Sequence, residues 1–380
     1  MQVLTVDIGT GTQDIYLFRS GLSLENGYKI VAPSPTMLIR RQIQNATRRG
    51  EALLLTGVTM GGGPCHWAAE AHLRAGYKMF ATPEAALTFN DDLAWVRREM
   101  GVEVVSEDEA VKLDHVRHIK LLDFDFDAIA RAFIAFEVNL NLQAVAVAVF
   151  DHGAAPPDIS DRQFRFDYLM ARIQSENRLS AFAYPSNDLP SIMTRMQAVV
   201  KSAAGLDCPL VVMDTAPAAV LGATLDPRVA ARSRVLITNI GNFHTLAFRL
   251  GPAGIEGVFE HHTGLIDLPH LEALLQALAD GSLTHQEVFD DHGHGALILH
   301  PEPLPLTEDD FGTVVTGPRR SMMRGSRLRP HFAVPYGDMM LTGCFGLLAS
   351  VAEHVQELSG PIRAALAGAG AESAPWDVEG

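Results

Sequence analysis

The chain is poor in cysteine, lysine and long apolar runs, and each shortage excludes something. Its three cysteines, Cys65, Cys208 and Cys344, are scattered over 380 residues and form no CxxC or CxxxCxxC spacing. Neither a disulfide framework nor a thiolate-held iron–sulfur cluster is expected. Lysine occurs only at positions 29, 78, 112, 120 and 201, and acids outnumber bases to a net charge of -15. A surface that acidic does not attract nucleic acid or an anionic membrane, so neither is expected as a partner. The apolar run Leu142–Phe150 is far too short to span a bilayer. The amino terminus has no basic stretch followed by an apolar one, as a signal peptide would, so the expected location is the cytoplasm.

What remains is a globular composition, 47% apolar and 20% charged, with a length that suits two domains. The first fourteen residues are the most informative. Val3–Val6 is an apolar, β-rich run that delivers Asp7, and Gly9-Thr10-Gly11-Thr12 separates it from a second apolar run, Ile15–Phe18. This predicts strand, tight turn, strand. Backbone N–H groups, small hydroxyls and one carboxylate are what a polyphosphate and its Mg²⁺ need, with Asp7 holding the metal through water. An ordinary hairpin with a glycine-rich loop is the competing account.

The pattern returns. Arg234–Thr238, Asn239, Gly241-Asn242 and Thr245 repeat strand, polar glycine turn and strand, and a third strand follows each time (Tyr28–Ala32, Ile255–Phe259). An internal duplication is expected, with domains at 1–225 and 226–360 and a disordered tail at 361–380. Pro209–Met213 predicts a strand ending at Asp214, and Asp214–Ala223 a short helix of small residues.

Other stretches carry candidate chemistry. Leu53–Gly57, then Gly61-Gly62-Gly63-Pro64, then a helix from Cys65 makes an anion-friendly strand–turn–helix, unless the glycines serve only close packing. Leu142–Phe150 predicts a buried strand with Asp151 at its carboxyl end, where α/β sheets place ligands. Asp151 is the expected acid for orienting or deprotonating an acceptor, against a plain turn with an Asp cap. Arg319 and Arg320 are positioned to grip an anionic substrate bidentately, or merely to pair with the acidic surface. The histidine pairs His261-His262 and His292/His294, with His285 and His300 nearby, raise a metal site against the alternative of a solvated Asp-Asp-His-Gly-His-Gly loop. His262 precedes a glycine turn and is the better candidate for a role.

The order of these features, from Asp7 and Gly9 through Gly241 and Thr245 to Thr342-Gly343-Cys344-Phe345-Gly346, resembles the actin/Hsp70/sugar-kinase superfamily. The resemblance implies an α/β, duplicated two-domain actin-like ATPase (ribonuclease H-like) fold with an interdomain nucleotide cleft, and ATP with Mg²⁺ as cofactors. It assigns Gly9, Thr10, Gly11 and Thr12 with Gly241, Asn242 and Thr245 to the phosphates, His262 and Gly264 to a small loop at the cleft, and Gly343 and Gly346 to adenosine. More closely, Thr59–Pro64, Asp151–Pro157, Thr194–Met196, Gly317–Arg320 and Gly337–Gly346 resemble a prokaryotic family labelled pyruvate-formate-lyase activating proteins. A radical-SAM activase needs three clustered cysteines, which this chain lacks. Expected functions are an ATPase that activates a client enzyme, a phosphotransferase on a small anionic substrate held at Gly61–Gly63, or a nucleotide-binding module without catalysis. Where many relatives carry an acid in the second turn this chain has Asn239, which cannot act as a base.

Overall fold

The structure, a computed structural model, describes residues 1–156, 158–306, 310–370 and 373–378. Pro157 and part of the expected tail therefore lie outside the described residues. In chain order come β1 (Gln2–Ile8), β2 (Thr12–Arg19), β3 (Tyr28–Pro33), β4 (Leu53–Gly57), β5 (Met79–Ala81), β6 (Glu103–Val104), β7 (Arg117–Leu121) and β8 (Leu142–Val149). These are followed by β9 (Ala183–Pro185), β10 (Leu210–Asp214), β11 (Val235–Ile240), β12 (His244–Gly251), β13 (Gly254–His262), β14 (Gly295–Ile298), β15 (Thr313–Thr316) and β16 (Pro330–Phe332).

Two six-stranded sheets share a five-strand core, β3-β2-β1-β8-β10 matching β13-β12-β11-β15-β16, with β9 added beside β10 in one and β14 beside β13 in the other. The first runs β3-β2-β1-β8-β10-β9 and the second β14-β13-β12-β11-β15-β16. In each, three antiparallel strands open the unit, and the next strand of the sheet pairs parallel to the first of them. The duplication extends to the turns. Gly9 N–H donates to the Thr12 carbonyl at 3.0 Å, and Gly241 N–H to the His244 carbonyl at 2.9 Å. This is an α/β fold of the duplicated actin-like, ribonuclease H-like kind.

Between β3 and β8 an inserted parallel sheet, β6-β5-β4-β7, stands on its own core of Leu53, Leu55, Met79, Ala81, Ile119 and Leu121. β4 is legible in sequence, but β5 and β6 have three and two residues, too few for a period to register.

Helix Thr215–Ala223 packs on helix Thr342–His354 with backbone almost touching. A Cβ on Gly222 would collide with the Thr342 carbonyl, and one on Gly346 with that of Ala218. The last helix, Gln356–Leu366, runs past residue 360, where the expected tail begins. Gly360-Pro361 reads as a stop, yet Ile362 and Ala365 bury beside Leu358 and carry the helix through. Pro335–Gly337 is a 3₁₀ turn with Tyr336 at φ 50°. Among the described residues no helix is long and apolar enough to cross a membrane.

Candidate functional site

The two matching turns face each other across a cavity of about 350 Å³. Gly11 approaches so closely that a Cβ there would lie 3.3 Å from Asn242 Nδ2. The first turn is anchored by Ser34, whose Oγ donates to the Thr10 carbonyl at 2.5 Å and whose N–H donates to that of Gly11 at 3.1 Å. Of the expected residues, Asp7, Gly9, Thr10, Gly11, Thr12, Gly61, Gly62, Gly63, Asp151, Gly241, Asn242, Arg320 and Gly343 line the cavity.

Strand register puts two acids side by side. Asp7 and Asp14 are direct partners in β1 and β2, so their side chains share a face. Asp7 Oδ1 accepts from the Thr215 hydroxyl at 2.6 Å, and its other oxygen fills the space where a Cβ on Gly343 would be. Gly343 is thus small because the Asp7 carboxylate needs its place. Burial pushes the Asp7 carboxyl up to about 6, with the Thr215 hydroxyl opposing and Asp214 adding. Asp14 is pushed up to about 7, first by burial and then by Asp7, and its Oδ1 is buried with no hydrogen-bond partner. A carboxylate pair with an orphaned oxygen suits a hard divalent cation. Asp14 was missed as a candidate, although counting the hairpin's pairs outward from the turn would have found it.

Several expected residues fall elsewhere. Thr245 is fully buried, its hydroxyl 2.9 Å from that of Thr263. Gly346 belongs to the helix contact described above, so it brings a helix close rather than a ligand. Gly264 is exposed with open space where a Cβ would be, so nothing there requires glycine. Arg319 is exposed and only its backbone is engaged, N–H to the Ile240 carbonyl at 3.0 Å. Arg320 is in the lining, one of its N–H groups donating to the Gly317 carbonyl at 2.9 Å. His262 lies behind the cavity wall among other rings, 5.1 Å from His244 and 4.7 Å from His294.

Asp151 reaches the cavity, but both its oxygens are held, by the N–H of Gly153 at 2.8 Å and of Met196 at 2.9 Å. It ties the end of β8 to the first turn of helix Thr194–Ser202. The neighbouring Asp123 does a similar service for the glycine loop. Its carboxylate takes Arg195 Nε at 2.7 Å and the Gly61 N–H at 3.1 Å, while Arg195 donates to the Phe150 carbonyl at 2.7 Å. The Gly61 N–H is therefore committed to the Asp123 carboxylate rather than free for a phosphate. Each glycine of the loop also meets a neighbour that leaves no room for a Cβ: Arg195 at Gly61, the Thr88 carbonyl at Gly62, Phe243 at Gly63. These three glycines are closely packed, and they line the cavity as well.

Beneath the site runs a buried charge network. Arg165, fully buried, pairs with Asp214 at 2.5 Å and Glu260 at 3.2 Å, and donates to the Asp151 carbonyl at 3.0 Å. Asp214 caps the helix that carries Thr215, so the network positions Asp7 from below. The cysteines lie apart, Cys65 and Cys344 in different cores and Cys208 against a third.

Among solved structures, similarity is found to an exopolyphosphatase-like protein, 12% identical over 83% of this chain and 66% of that one, TM-score 0.24. A ROK hexokinase from Thermus thermophilus is 13% identical over 94% and 79%, TM-score 0.24. The PPX-GPPA enzyme of Aquifex aeolicus is 10% identical over 72% and 56%, TM-score 0.19. This chain therefore spans just under two thirds of the first of these proteins and little more than half of the third. A comparison with curated proteins finds no match. Residues 60–322, well over half the chain and including the glycine loop, Asp151, Arg195, the second turn and Arg320, match a family profile, and the chain belongs to that family, described as "Putative pyruvate format-lyase activating enzyme (DUF1786)".

Proposed function

We propose that this protein binds ATP with Mg²⁺ between its two turns and uses hydrolysis to activate or reactivate a client enzyme. What supports this most is the pair of backbone turns closed by the same Gly N–H bond, facing one another over a cavity that holds Asp7 and Asp14. Glycine turns of this kind suit phosphate oxygens. Asp7 and Asp14 would hold the metal through water, and the bound Mg²⁺ would neutralise charge on the phosphates. Asp14, with a carboxyl near 7, is a better base than Asp151, whose oxygens are already engaged. Asn239 leaves the second turn without an acid, which fits slow turnover stimulated by a partner. Transfer to a small anionic acceptor is a second reading, supported by Arg320 in the cavity wall. The family's description as an activating enzyme supports activation, and the scattered cysteines fit an ATP-driven rather than a radical-SAM activase.

The simplest test is thermal unfolding with millimolar nucleotide. At ~100 times the dissociation constant, Mg-ATP should add about 2.7 kcal/mol. No shift in Tm would overturn the nucleotide reading.

Affinity should also depend on pH. Asp7 and Asp14 bind protons more tightly when folded than the usual carboxylate, so a metal must displace those protons below pH 6–7. Calorimetric titration is expected to give Mg-ATP affinity that rises between pH 5 and 8 and then levels. A flat profile would remove both acids from the metal site.

A further inference from the structure

Three histidines from distant parts of the chain meet at the cavity's edge. His152 follows the end of β8, His244 closes the second turn, and His294 leads into β14. One nitrogen from each lies within 4.8 Å of the others. Ring centroids are 5.0 Å apart for His152–His244 and for His244–His294. His294 is fully buried, and neither of its ring nitrogens has a hydrogen-bond partner. Buried polar atoms are nearly always paired. An imidazole with two orphaned nitrogens, aimed at two more imidazoles, is therefore the mark of a missing ligand.

We propose that His152, His244 and His294 bind one borderline divalent cation of the Zn²⁺ class. Tetrahedral Zn–N bonds of about 2.0–2.1 Å need the nitrogens somewhat closer than they stand, a change within the reach of ring rotation. Glu260, fully buried, places Oε1 3.1 Å from His244 Nδ1 and 3.7 Å from His294 Nε2, a carboxylate within reach of orienting the ligating rings. Burial alone would raise the Glu260 carboxyl, but the Arg165 guanidinium beside it holds it well below the usual range. Burial drives His294 down to about 3 and His152 well below its ordinary value. The neutral imidazole is the form that ligates metals. Nitrogen donors favour Zn²⁺-class ions over Mg²⁺, which prefers oxygen, so this site is distinct in kind from the Asp7/Asp14 pair. Because His152 and His244 also line the cavity, a fourth coordination position opens toward whatever occupies it. Three protein ligands plus an open position characterise catalytic rather than structural zinc sites, where bound water ionises near pH 7. The proposal does not depend on nucleotide binding.

The metal alone tests it. Chelator-stripped full-length protein should take up one Co²⁺ per chain with tetrahedral d–d absorption, displaced by Zn²⁺. His294→Gln and His152→Gln should each weaken uptake by more than about 100-fold, beyond the loss expected for an outer-shell partner. His270→Gln should leave it unchanged, since His270 belongs to a neighbouring group with His261 and Asp291. No tetrahedral band in the parent, or a band that survives both variants, overturns the site in favour of a stacked imidazole cluster. Should a glutamine variant lose its native circular dichroism, the parent still decides. Three imidazole nitrogens in the EPR spectrum of its Cu²⁺ adduct support the site, and fewer overturn it.

Discussion

Arg165→Met is expected to destabilise the protein by about 3–5 kcal/mol, the cost of leaving buried charge without its partner. Arg165 has no exposed surface and is the shared cation for two buried acids, Asp214 and Glu260. Methionine keeps the aliphatic stem but not the guanidinium and so also leaves a cavity, whose cost does not change with pH; the pH dependence of the loss is what reports charge. The two acids left behind lie in an interior where ionisation is costly, and both would take up protons. The destabilisation should therefore shrink as pH falls and the orphaned carboxyls become neutral. Urea unfolding at pH 7.5 and pH 5 measures both. A loss under about 1 kcal/mol at pH 7.5 would mean that water, not Arg165, compensates these acids.

The parts of the fold that were legible in the sequence are those written locally. β1, its turn and β2 occupy eighteen consecutive residues, and their repeat at β11 and β12 uses the same order of apolar run, polar residue and glycine. Strand and turn chemistry of that kind needs no tertiary information. A glycine does need it, because its smallness does not say what comes close. Gly343 makes room for the Asp7 carboxylate and Gly346 for a helix backbone, yet in sequence the two look alike. Carboxylates are ambiguous in the same way. Asp151 stands at the carboxyl end of a central strand, where ligands bind, but its oxygens are spent on the loop itself. The histidines mislead through spacing. His292 and His294 suggest a pair two residues apart, whereas His292 is exposed at φ 65° and His294 turns inward to the rings of His152 and His244, far away in the chain. No local pattern encodes that meeting, since the topology of both sheets creates it.

Asp7→Asn should stabilise the protein without ligand and at the same time weaken its response to Mg-ATP. The sign of the first effect follows from the raised carboxyl. An aspartate that titrates at about 6 when folded, against an ordinary 3.8, holds its proton more tightly in the folded state. Its contribution to stability is fully present below pH ~4 and is lost as pH rises through 6, so at pH 8 the ionised side chain opposes folding. Asparagine removes that opposition, and it also relieves Asp14, which Asp7 helps push up to about 7. Shape is kept, since an amide oxygen still accepts from the Thr215 hydroxyl and fills the space beside Gly343. The second effect follows from charge. A carboxylate that holds a metal through water is an outer-shell partner, and losing one typically costs 10–100-fold in metal affinity. Unfolding at pH 8, with and without Mg-ATP, separates the two: Tm should rise for the free variant, and the ligand-induced stabilisation should fall to about half or less. The opposite pattern, a lower Tm with the shift retained, would make Asp7 a structural turn residue. A rise in both would leave Asp14 as the metal's carboxylate and Asp7 only as the group that tunes it. A site that opposes folding until its ligand arrives trades stability for function, and the facing acids of β1 and β2 are where that trade is made here.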